Sequence, residues 1–412
     1  MQAALTAELL LPLVALITYV LSGFFFNFNN YYVICNLVYL FIFSTYLNNA
    51  SKNTSIFFLM FFSVLALNLF GYIFYSGIKS GSIDFFKTCS RYYIFIFLGF
   101  ALYKSYYQTG KEIALLRWVV YFALFIGLIN FLHFLLLVTD DVAIDWYKIS
   151  FNRYTVVYLF IKEINPSLSD YIVIGYQYDG LLKPPGYFFD THAQYYLPLG
   201  ASVILLFKEL GFKYRKTLIS FLLISILVSG IKTAYMSIVL LGAIYLLTNL
   251  NSAFFIKYLR IFLISMGLIF IVLGNYILII FGGESLYKIL AQLWSHFIEI
   301  PVKLAMNETI AFLFGGAPFL RGDKFYYSEV FFVTVTIYIG LLGLLFYLMP
   351  TILLKRIRSR KLPAYVFLVF LLSLSHYSVY MIGINNLFSA LSFMYFFALI
   401  NNEPAMKGSV AG

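Results

Sequence analysis

The chain has 412 residues, of which 62% are hydrophobic and only 11% are charged. A soluble globular domain has about a quarter charged residues, so this composition excludes that class. The net charge of +11 could suit a nucleic-acid-binding protein, but the basic residues cluster in short intervals between apolar runs, which argues against nucleic acid. The composition therefore predicts an integral membrane protein.

Apolar segments of about 17–25 residues recur along the chain, and each is long enough to cross a bilayer as a helix. Backbone polar groups in lipid must be paired within the segment, which favours helices, and the sequence lacks the short alternating segments of a membrane β-barrel. We predict an all-α polytopic membrane protein, a single integral membrane domain over residues 1–412. About twelve transmembrane helices are expected, at residues 9–26, 31–47, 55–77, 91–107, 118–139, 194–208, 217–231, 233–248, 261–281, 328–349, 362–381 and 385–401.

The first five predicted spans are rich in Phe, Tyr and Leu and carry almost no charge. Their aromatic side chains are expected to face lipid or the membrane interface. Asn130 and His133 share one face of the fifth span, and each is expected to form a buried structural hydrogen bond.

The orientation is predicted from two short basic loops. Short loops rich in lysine and arginine mark the cytoplasmic side of a membrane protein, so an even number of spans places both termini in the cytoplasm. The first apolar run has no basic residues before it, which favours a span over a cleaved signal peptide. Cys35 and Cys89 do not suggest a disulfide framework. The basic loops contain Lys208, Lys213, Arg215 and Lys216, and Lys355, Arg356, Arg358, Arg360 and Lys361.

Two long intervals interrupt the spans, and both are predicted to be external. The first has seven acidic and four basic residues, and the second has four of each. Short interfacial helices are expected in both, at Tyr154–Ile161, Tyr171–Tyr176 and Leu286–Leu304. The domain is thus divided into N-terminal helices (1–139), a large loop (140–193), central helices (194–281), a second loop (282–327) and C-terminal helices (328–412).

The first candidate patch is the stretch Leu181–His192, which ends the longest polar interval and leads into an apolar segment. Two prolines and a glycine restrict the backbone to an extended turn. The patch places a cation, a carboxylate and an imidazole at the entrance of a span, and its candidate residues are Lys183, Gly186, Tyr187, Asp190 and His192.

The second patch is the turn Ser229–Ala234 between two predicted spans, where Lys232 and Thr233 are flanked by small residues. A lysine close to the hydrocarbon core is costly unless it reaches the interface or pairs with an anion. Two interpretations stay open for Lys232: a snorkelling lysine, or part of an anion site that faces outward.

The third patch follows the glycine-rich stretch Phe314–Gly316 in the second loop. A carboxylate at the start of a span is costly unless it faces a cavity or a cation. The pair Gly340 and Gly343 within that span permits close helix packing. The candidate residues of this loop and span are His296, Arg321, Tyr327, Ser328 and Glu329.

The order of the three patches resembles that of the Wzy-type O-antigen polymerases, which share a superfamily with the O-antigen ligases. In that group an Arg-Pro-x-Gly-Phe-like segment precedes a span, and a Ser-Gly-x-Arg-Thr-Ala-like turn joins two spans. A Phe-Gly-x-Gly stretch then precedes a Ser-Glu or His-Asn pair, which opens a span containing Gly-x-x-Gly. The resemblance covers about residues 180–350 and implies the GT-C-like helical bundle of the group. The matching stretches are Lys183–Tyr187, Ser229–Ala234, Phe314–Gly316 and Ser328–Gly343.

The chain departs from the pattern at two positions, since Lys183 and Lys232 stand where the group usually has arginine. Lysine keeps the positive charge but loses the planar, two-pronged grip of arginine on phosphate. The ligases are expected to have histidine in the pair that opens the late span. Ser328 and Glu329 occupy that pair here and favour a polymerase.

The resemblance implies glycosyl transfer from an undecaprenyl-diphosphate-linked glycan to a hydroxyl of a second lipid-linked repeat unit. The expected location is the periplasmic face of a bacterial inner membrane, and the polymer would be O-antigen or a related surface polysaccharide. Partners would be both glycans and membrane lipid; whether a chain-length regulator protein binds stays open. No Asp, Glu and His cluster has metal-ligand spacing, so neither metal nor cofactor is expected.

The implied site needs cations for the leaving diphosphate, a role assigned to Lys183, Lys232 and Arg321. Arg321 is also placed among the catalytic residues. Glu329 or His192 would orient or deprotonate the acceptor hydroxyl, with His296 and Asp190 behind them. Supporting positions are Gly186, Tyr187, Thr233, Tyr327 and Ser328.

Two other functions remain open at this stage. An O-antigen ligase would use the same donor but transfer the glycan to a lipid core. A lipid-linked oligosaccharide flippase also often has about twelve spans, but it would be expected to bury several charges along a central cavity. The central portions of the predicted spans here are nearly free of charge, which favours the transferase.

Overall fold

The computed structural model describes residues 50–76, 93, 95–139, 144–145, 148–149, 176–178, 181–183, 195–207, 210–249, 294–316, 331–356, 361–373 and 382–402. In this part of the chain the fold is helical apart from two short β-hairpins. Its helices overlap nine of the twelve predicted spans, and the spans at 9–26, 31–47 and 261–281 lie outside the described residues.

The first helices are α1 (Lys52–Ser76), α2 (95–102, continued by the π-helical turn Tyr103–Tyr107) and α3 (Glu112–Thr139). The hairpins follow, with β1 (Ile144–Asp145) antiparallel to β2 (Lys148–Ile149) and β3 (Tyr176–Tyr178) antiparallel to β4 (Leu181–Lys183). The remaining helices are α4 (Tyr196–Leu205), α5 (Arg215–Leu227), α6 (Lys232–Asn249), α7 (Ile300–Asn307), α8 (Thr309–Phe314), α9 (Phe331–Leu348), α10 (Lys361–Ser373) and α11 (Ile382–Ile400).

Three of the described segments are long and apolar enough to cross a membrane: Lys52–Gly71, Glu112–Leu132 and Val333–Lys355. The last combines α9 with the 3₁₀-helix Met349–Arg356 that continues it. The described part of the chain is therefore compatible with a helical membrane protein. The total of about twelve spans stays a prediction.

The centre of the described bundle is packed with phenylalanine. Phe57 lies edge-on to Phe397 of α11, with ring centroids 5.2 Å apart, and Phe61 lies edge-on to Phe346 of α9 at 5.5 Å. Phe58 stacks on Phe397 at 5.6 Å. Such pairs contribute about 0.5–1.5 kcal/mol each beyond area burial. All five rings are nearly inaccessible, so the expectation that the aromatic residues of the early spans face lipid is wrong for this face of α1.

Helix α4 is shorter than the span predicted at 194–208, and all ten of its residues are buried. At a rise of about 1.5 Å per residue it is about 15 Å long, half the thickness of the hydrocarbon core. Gly200 allows α4 to lie directly on α11, because a Cβ at this position would be only 1.8 Å from the ring of Phe388. The helix is therefore enclosed by the bundle and does not cross a bilayer by its own length.

One end of the bundle, here called the basic end, gathers helix ends that carry lysine and arginine. Asn401, after α11, donates to the Tyr103 hydroxyl of α2 at 2.9 Å. Arg117, in α3, donates to the Leu210 carbonyl at 2.9 Å, and Phe207 contacts the ring of Tyr365 in α10. The described basic residues at these helix ends and loops are Lys52, Lys104, Lys111, Arg117, Lys213, Arg215, Lys216, Lys355, Arg356 and Lys361.

Candidate functional site

The structure describes four of the predicted site residues, at least in their backbone. Lys183 ends strand β4, Lys232 and Thr233 are the first two residues of α6, and His296 lies in the π-helical turn Ser295–Glu299. The other predicted residues lie outside the described part of the chain: Gly186, Tyr187, Asp190, His192, Arg321, Tyr327, Ser328 and Glu329.

Lys183 belongs to a β-hairpin. Its register pairs Tyr176 with Lys183 and Tyr178 with Leu181, which leaves two residues between the strands. Those residues are Asp-Gly in the sequence, a pair typical of two-residue hairpins, so a sequence signal for this hairpin existed. The interfacial helix predicted over Tyr171–Tyr176 is wrong at Tyr176. Strand β4 contacts α3, which places the start of the first patch beside that helix.

The second patch forms the predicted turn between α5 and α6. Gly230 has a φ of 68°, a conformation that glycine adopts without strain, and Ser229 is buried with its hydroxyl donating to the Ile226 carbonyl at 2.6 Å. Ala234 is buried beyond the turn, and its N–H donates to the Ile231 carbonyl at 3.0 Å. The small residues of the motif thus serve the turn, and Lys232 directly follows it.

The two glycine motifs of the third patch contact each other. Gly340 interrupts the helical backbone of α9 with φ 73° and ψ 174°, and Gly315 has a φ of 85°. A Cβ at Gly340 would lie 2.4 Å from the Leu313 carbonyl oxygen, and the Gly316 N–H donates to the Tyr338 carbonyl at 3.0 Å. Gly340 therefore does permit a close approach, but the neighbour is the chain leaving α8, and α9 is kinked there.

Asn68, in the middle of α1, completes this contact. Its amide nitrogen donates to the Ile339 carbonyl at 2.8 Å and to the Phe314 carbonyl, and its amide oxygen accepts from the Tyr93 hydroxyl at 2.9 Å. Asn68 is fully buried and Tyr93 nearly so. We call this arrangement the Asn68 clamp: Asn68, Tyr93 and the backbone of 314–316 and 338–340. Asn68 is not among the residues predicted from the sequence, although one asparagine among apolar residues of a span predicts an interior partner.

Asn130, the buried polar residue that the sequence did single out, lies in α3. Its burial agrees with the prediction, and the structural hydrogen bond expected of it stays a prediction. The side chain of His133 lies outside the described part of the chain. Of the two buried asparagines, only Asn130 on α3 was predicted from the sequence, whereas Asn68 on α1 contacts the third patch.

His296 lies on a helical segment that packs against α9. The π-helical turn is followed by α7, which has Pro301 near its start, and Leu304 of α7 forms a small core with Val333 and Ile337 of α9. The described helical residues run from Trp294 to Asn307, which agrees with the second half of the helix predicted over Leu286–Leu304. This packing places the segment of His296 beside the first half of α9.

The three patches lead into helices that run in the same direction. Helices α4 and α9 run toward the basic end, since Arg215 contacts the Leu206 carbonyl after α4 and Phe346 of α9 packs on Phe57 near the start of α1. Helix α5 starts at the basic end, so α6 begins at the opposite end. All three N-termini, at Tyr196, Lys232 and Phe331, therefore point away from the basic end. A helix N-terminus carries a partial positive charge that favours anions.

An apolar cavity of about 180 Å³ lies between α4, α5, α6 and α10. Leu199 and Ile238 line it from the N-terminal halves of α4 and α6, and Tyr365 lines it from α10. Gly242 borders the cavity, and a Cβ there would meet no atom within 4 Å. The helices that follow the first two patches are thus adjacent but not fully packed, and the cavity between them extends to Leu206 and Tyr365 near the basic end.

Comparison with known proteins identifies no relative of this chain. No protein-family model, no curated protein and no solved structure matches the chain. Among the described residues, no group of three or more His, Cys, Asp and Glu could hold a metal ion.

Proposed function

We propose that this protein polymerises oligosaccharide repeat units carried on undecaprenyl diphosphate, producing O-antigen or a related surface polysaccharide. The observation that carries the proposal is the common direction of the three helices that follow the motif patches. Their N-termini lie at the end of the bundle opposite the basic end, and the Phe314–Gly316 and Gly340 motifs are in contact. The described helices that follow motifs spread over about 160 residues of sequence thus share one direction, which supports a common site.

The proposed orientation follows from the charges. Lysine and arginine concentrate in cytoplasmic loops, so the basic end is assigned to the cytoplasm of a bacterial inner membrane and the patches to its periplasmic side. Twelve spans, with both termini cytoplasmic, complete this topology. Lipid-linked repeat units would then meet the site at the outer surface of the membrane.

The proposed chemistry is the breaking of one bond and the formation of another at the anomeric carbon of the donor glycan. The bond to the diphosphate oxygen breaks, and the acceptor hydroxyl oxygen bonds to the carbon while its proton passes to a base. Lys183, Lys232 and Arg321 would stabilise the charge that develops on the diphosphate, supported by the helix N-termini at Tyr196 and Lys232. This stabilisation is stronger near the membrane than in bulk water.

In this proposal, the repeat unit that accepts the glycan binds at the N-terminal end of α9; this part of the site is called the acceptor side. Glu329 would orient or deprotonate the acceptor hydroxyl, with His192 as the other candidate for this role and His296 and Asp190 behind them. The packing of the His296 segment on the first half of α9, through Leu304, supports a place for it near this side.

The reaction is tested with purified protein in proteoliposomes and lipid-linked repeat units as the only substrate. A ladder of products that grow by one repeat unit indicates a polymerase. Transfer of a glycan only onto an added lipid core would identify a ligase, and relocation of substrate across the vesicle without a new glycosidic bond would identify a flippase. Either of the last two outcomes overturns the proposal.

The site is tested by Lys183→Ala, Lys232→Ala and Arg321→Ala, each of which is expected to abolish long products because a cation facing the diphosphate is lost. Lys183→Arg and Lys232→Arg should retain activity, since they keep the charge and restore the residue usual in the resembling group. Lys213→Ala and Lys216→Ala remove the same charge at the basic end and should have no effect. Wild-type chain lengths in all three alanine variants would refute the shared diphosphate site.

A further inference from the structure

Asn68 uses its side chain to join separate parts of the chain. Other polar side chains in the described helices, such as Ser202, Ser225 and Ser392, donate to carbonyls of their own helix. Asn68 donates instead to Phe314 and Ile339, which lie 246 and 271 residues away. It therefore shapes the tertiary structure at the contact between α8 and α9.

The clamp supplies partners that the backbone needs. The kink at Gly340 turns the preceding carbonyls out of regular helical geometry, and buried carbonyls without donors are costly. The Tyr338 carbonyl accepts a hydrogen bond from the Gly316 N–H, and the Ile339 carbonyl accepts one from the Asn68 amide nitrogen. The Tyr93 hydroxyl donates to the amide oxygen of Asn68, which keeps its amide nitrogen directed at the two carbonyls.

The location of the clamp connects it to the proposed reaction. It fixes α8 at its last residue and α9 at its ninth, so it sets the direction of the half-helix Phe331–Ile339. That half-helix begins two residues after Glu329 in the sequence. A small change in its direction would displace its N-terminal end, and reactions that depend on aligned groups are sensitive to displacements of about 1 Å.

We propose that Asn68, oriented by Tyr93, is a positioning residue for the first half of α9, and through it for the acceptor side of the site. The part of this inference that concerns the reaction depends on the proposed function. Asn68 itself acts through the Phe314 and Ile339 carbonyls, so the expected defect after its replacement is loss of alignment in a folded protein.

The clamp is tested by the rate of disulfide formation between two introduced cysteines, which needs no assay of activity. The Cβ of a residue at position 71 would lie 2.9 Å from the Cβ of Phe314, so a small shift allows a disulfide. In a chain with Cys35→Ser and Cys89→Ser, the pair Gly71→Cys and Phe314→Cys is oxidised, and free thiols are counted by maleimide–polyethylene glycol gel shift. Asn68→Leu is expected to slow formation of the 71–314 disulfide about tenfold. A factor of ten corresponds to about 1.4 kcal/mol, which is the scale of one buried hydrogen bond.

A second thiol pair provides the control. Gly99→Cys and Phe393→Cys join α2 to α11, where a Cβ at position 99 would also lie close to that of residue 393, and this contact does not include Asn68. Asn68→Leu should leave its rate of closure unchanged. Equal slowing of both pairs would indicate general loosening of the bundle, and equal rates for the first pair with and without Asn68 would refute the clamp.

The positioning role is tested by rescue. Asn68→Leu should reduce polymer formation about tenfold or more at equal amounts of folded protein, and the oxidised 71–314 disulfide should restore it, while reduction removes the benefit. Full activity of Asn68→Leu, or failure of the disulfide to restore activity, would overturn the positioning role. A wild-type protein that forms no polymer would refute the proposed function instead, and the closure rates would still report on the clamp.

Discussion

The Asn68 clamp and the polar network at the basic end both connect helices, but they are built differently. In the clamp, one amide serves two backbone carbonyls from different elements, and every participating side chain is buried. At the basic end, Asn401 bonds to the side chains of Ser51, Thr54 and Tyr103, and these contacts are only partly buried or exposed. Thr54 and Asn68 are about 21 Å apart along α1, given a rise of about 1.5 Å per residue.

The difference indicates where this helical bundle is sensitive to substitution. At the basic end several hydroxyls and amides share the bonds, and water can replace a lost partner. In the clamp the backbone itself supplies the acceptors, and Gly340 and Gly315 leave no room for side chains. Single changes should therefore be far more harmful at the clamp than at the basic end.

The largest effect is expected for Gly340→Ala. The new Cβ would lie 2.4 Å from the Leu313 carbonyl oxygen, and the φ of 73° is unfavourable for alanine. We expect destabilisation by about 3 kcal/mol or more, because backbone strain and overpacking add. The melting temperature in detergent, followed by size-exclusion chromatography, measures this.

Gly242→Ala is the matched control, since the residue is also a glycine inside a predicted span but its added Cβ meets no atom within 4 Å. Alanine favours a helix by about 1 kcal/mol over glycine, so unchanged or increased stability is expected. Similar losses of stability in Gly340→Ala and Gly242→Ala would show that any glycine replacement in these helices is harmful. The special sensitivity of the Asn68 clamp would then be refuted.

An intermediate effect is expected for Asn401→Ala, which removes hydrogen bonds to Thr54 and Tyr103 at the basic end. A typical hydrogen bond contributes about 1 kcal/mol net, and partly exposed partners regain water, so the expected loss is about 1 kcal/mol. Urea unfolding or thermal melting measures this loss in free energy of unfolding. Asn68→Leu, measured in the same way, should lose more stability than Asn401→Ala. A greater loss in Asn401→Ala would reverse the ranking of the two networks.

The smallest effect is expected for Lys303→Ala on α7. Lys303 donates to Glu299 at 2.5 Å, and this hydrogen bond lowers the pKa of the Glu299 carboxyl. A lowered pKa in the folded state gives stability that is present above the unfolded pKa of about 4.3 and lost as the pH falls through the folded pKa. Both side chains are exposed, by 61% and 42%, so solvent screening should make the loss unmeasurable.

The measurement compares melting temperatures of wild type and Lys303→Ala at neutral pH and below the range in which glutamate titrates. At each pH, wild type and Lys303→Ala are expected to have the same melting temperature. A destabilisation that appears at neutral pH and vanishes in acid would assign this exposed pair a structural importance that its solvent exposure does not predict.

The sequence alone indicated a helical fold compatible with a membrane protein, and the approximate positions of most of its described helices. Long apolar segments can satisfy their backbone in lipid only as helices, so hydropathy is enough to find them. Local chemistry also predicted the turn at Ser229–Ala234, because Gly230 requires only its own backbone freedom. The resemblance to the polymerase group likewise comes from the sequence, and the polymerase function stays a proposal.

The tertiary structure decided which face each helix buries and where α9 is broken. Leu and Phe are equally apolar whether they face lipid or protein, so hydropathy could not show that Phe57 and Phe61 are interior. The short length of α4 and the role of Asn68 depend on contacts between residues far apart in the chain. Gly340 could be recognised as small from its sequence, but only the approach of Gly315 explains why the helix must open there.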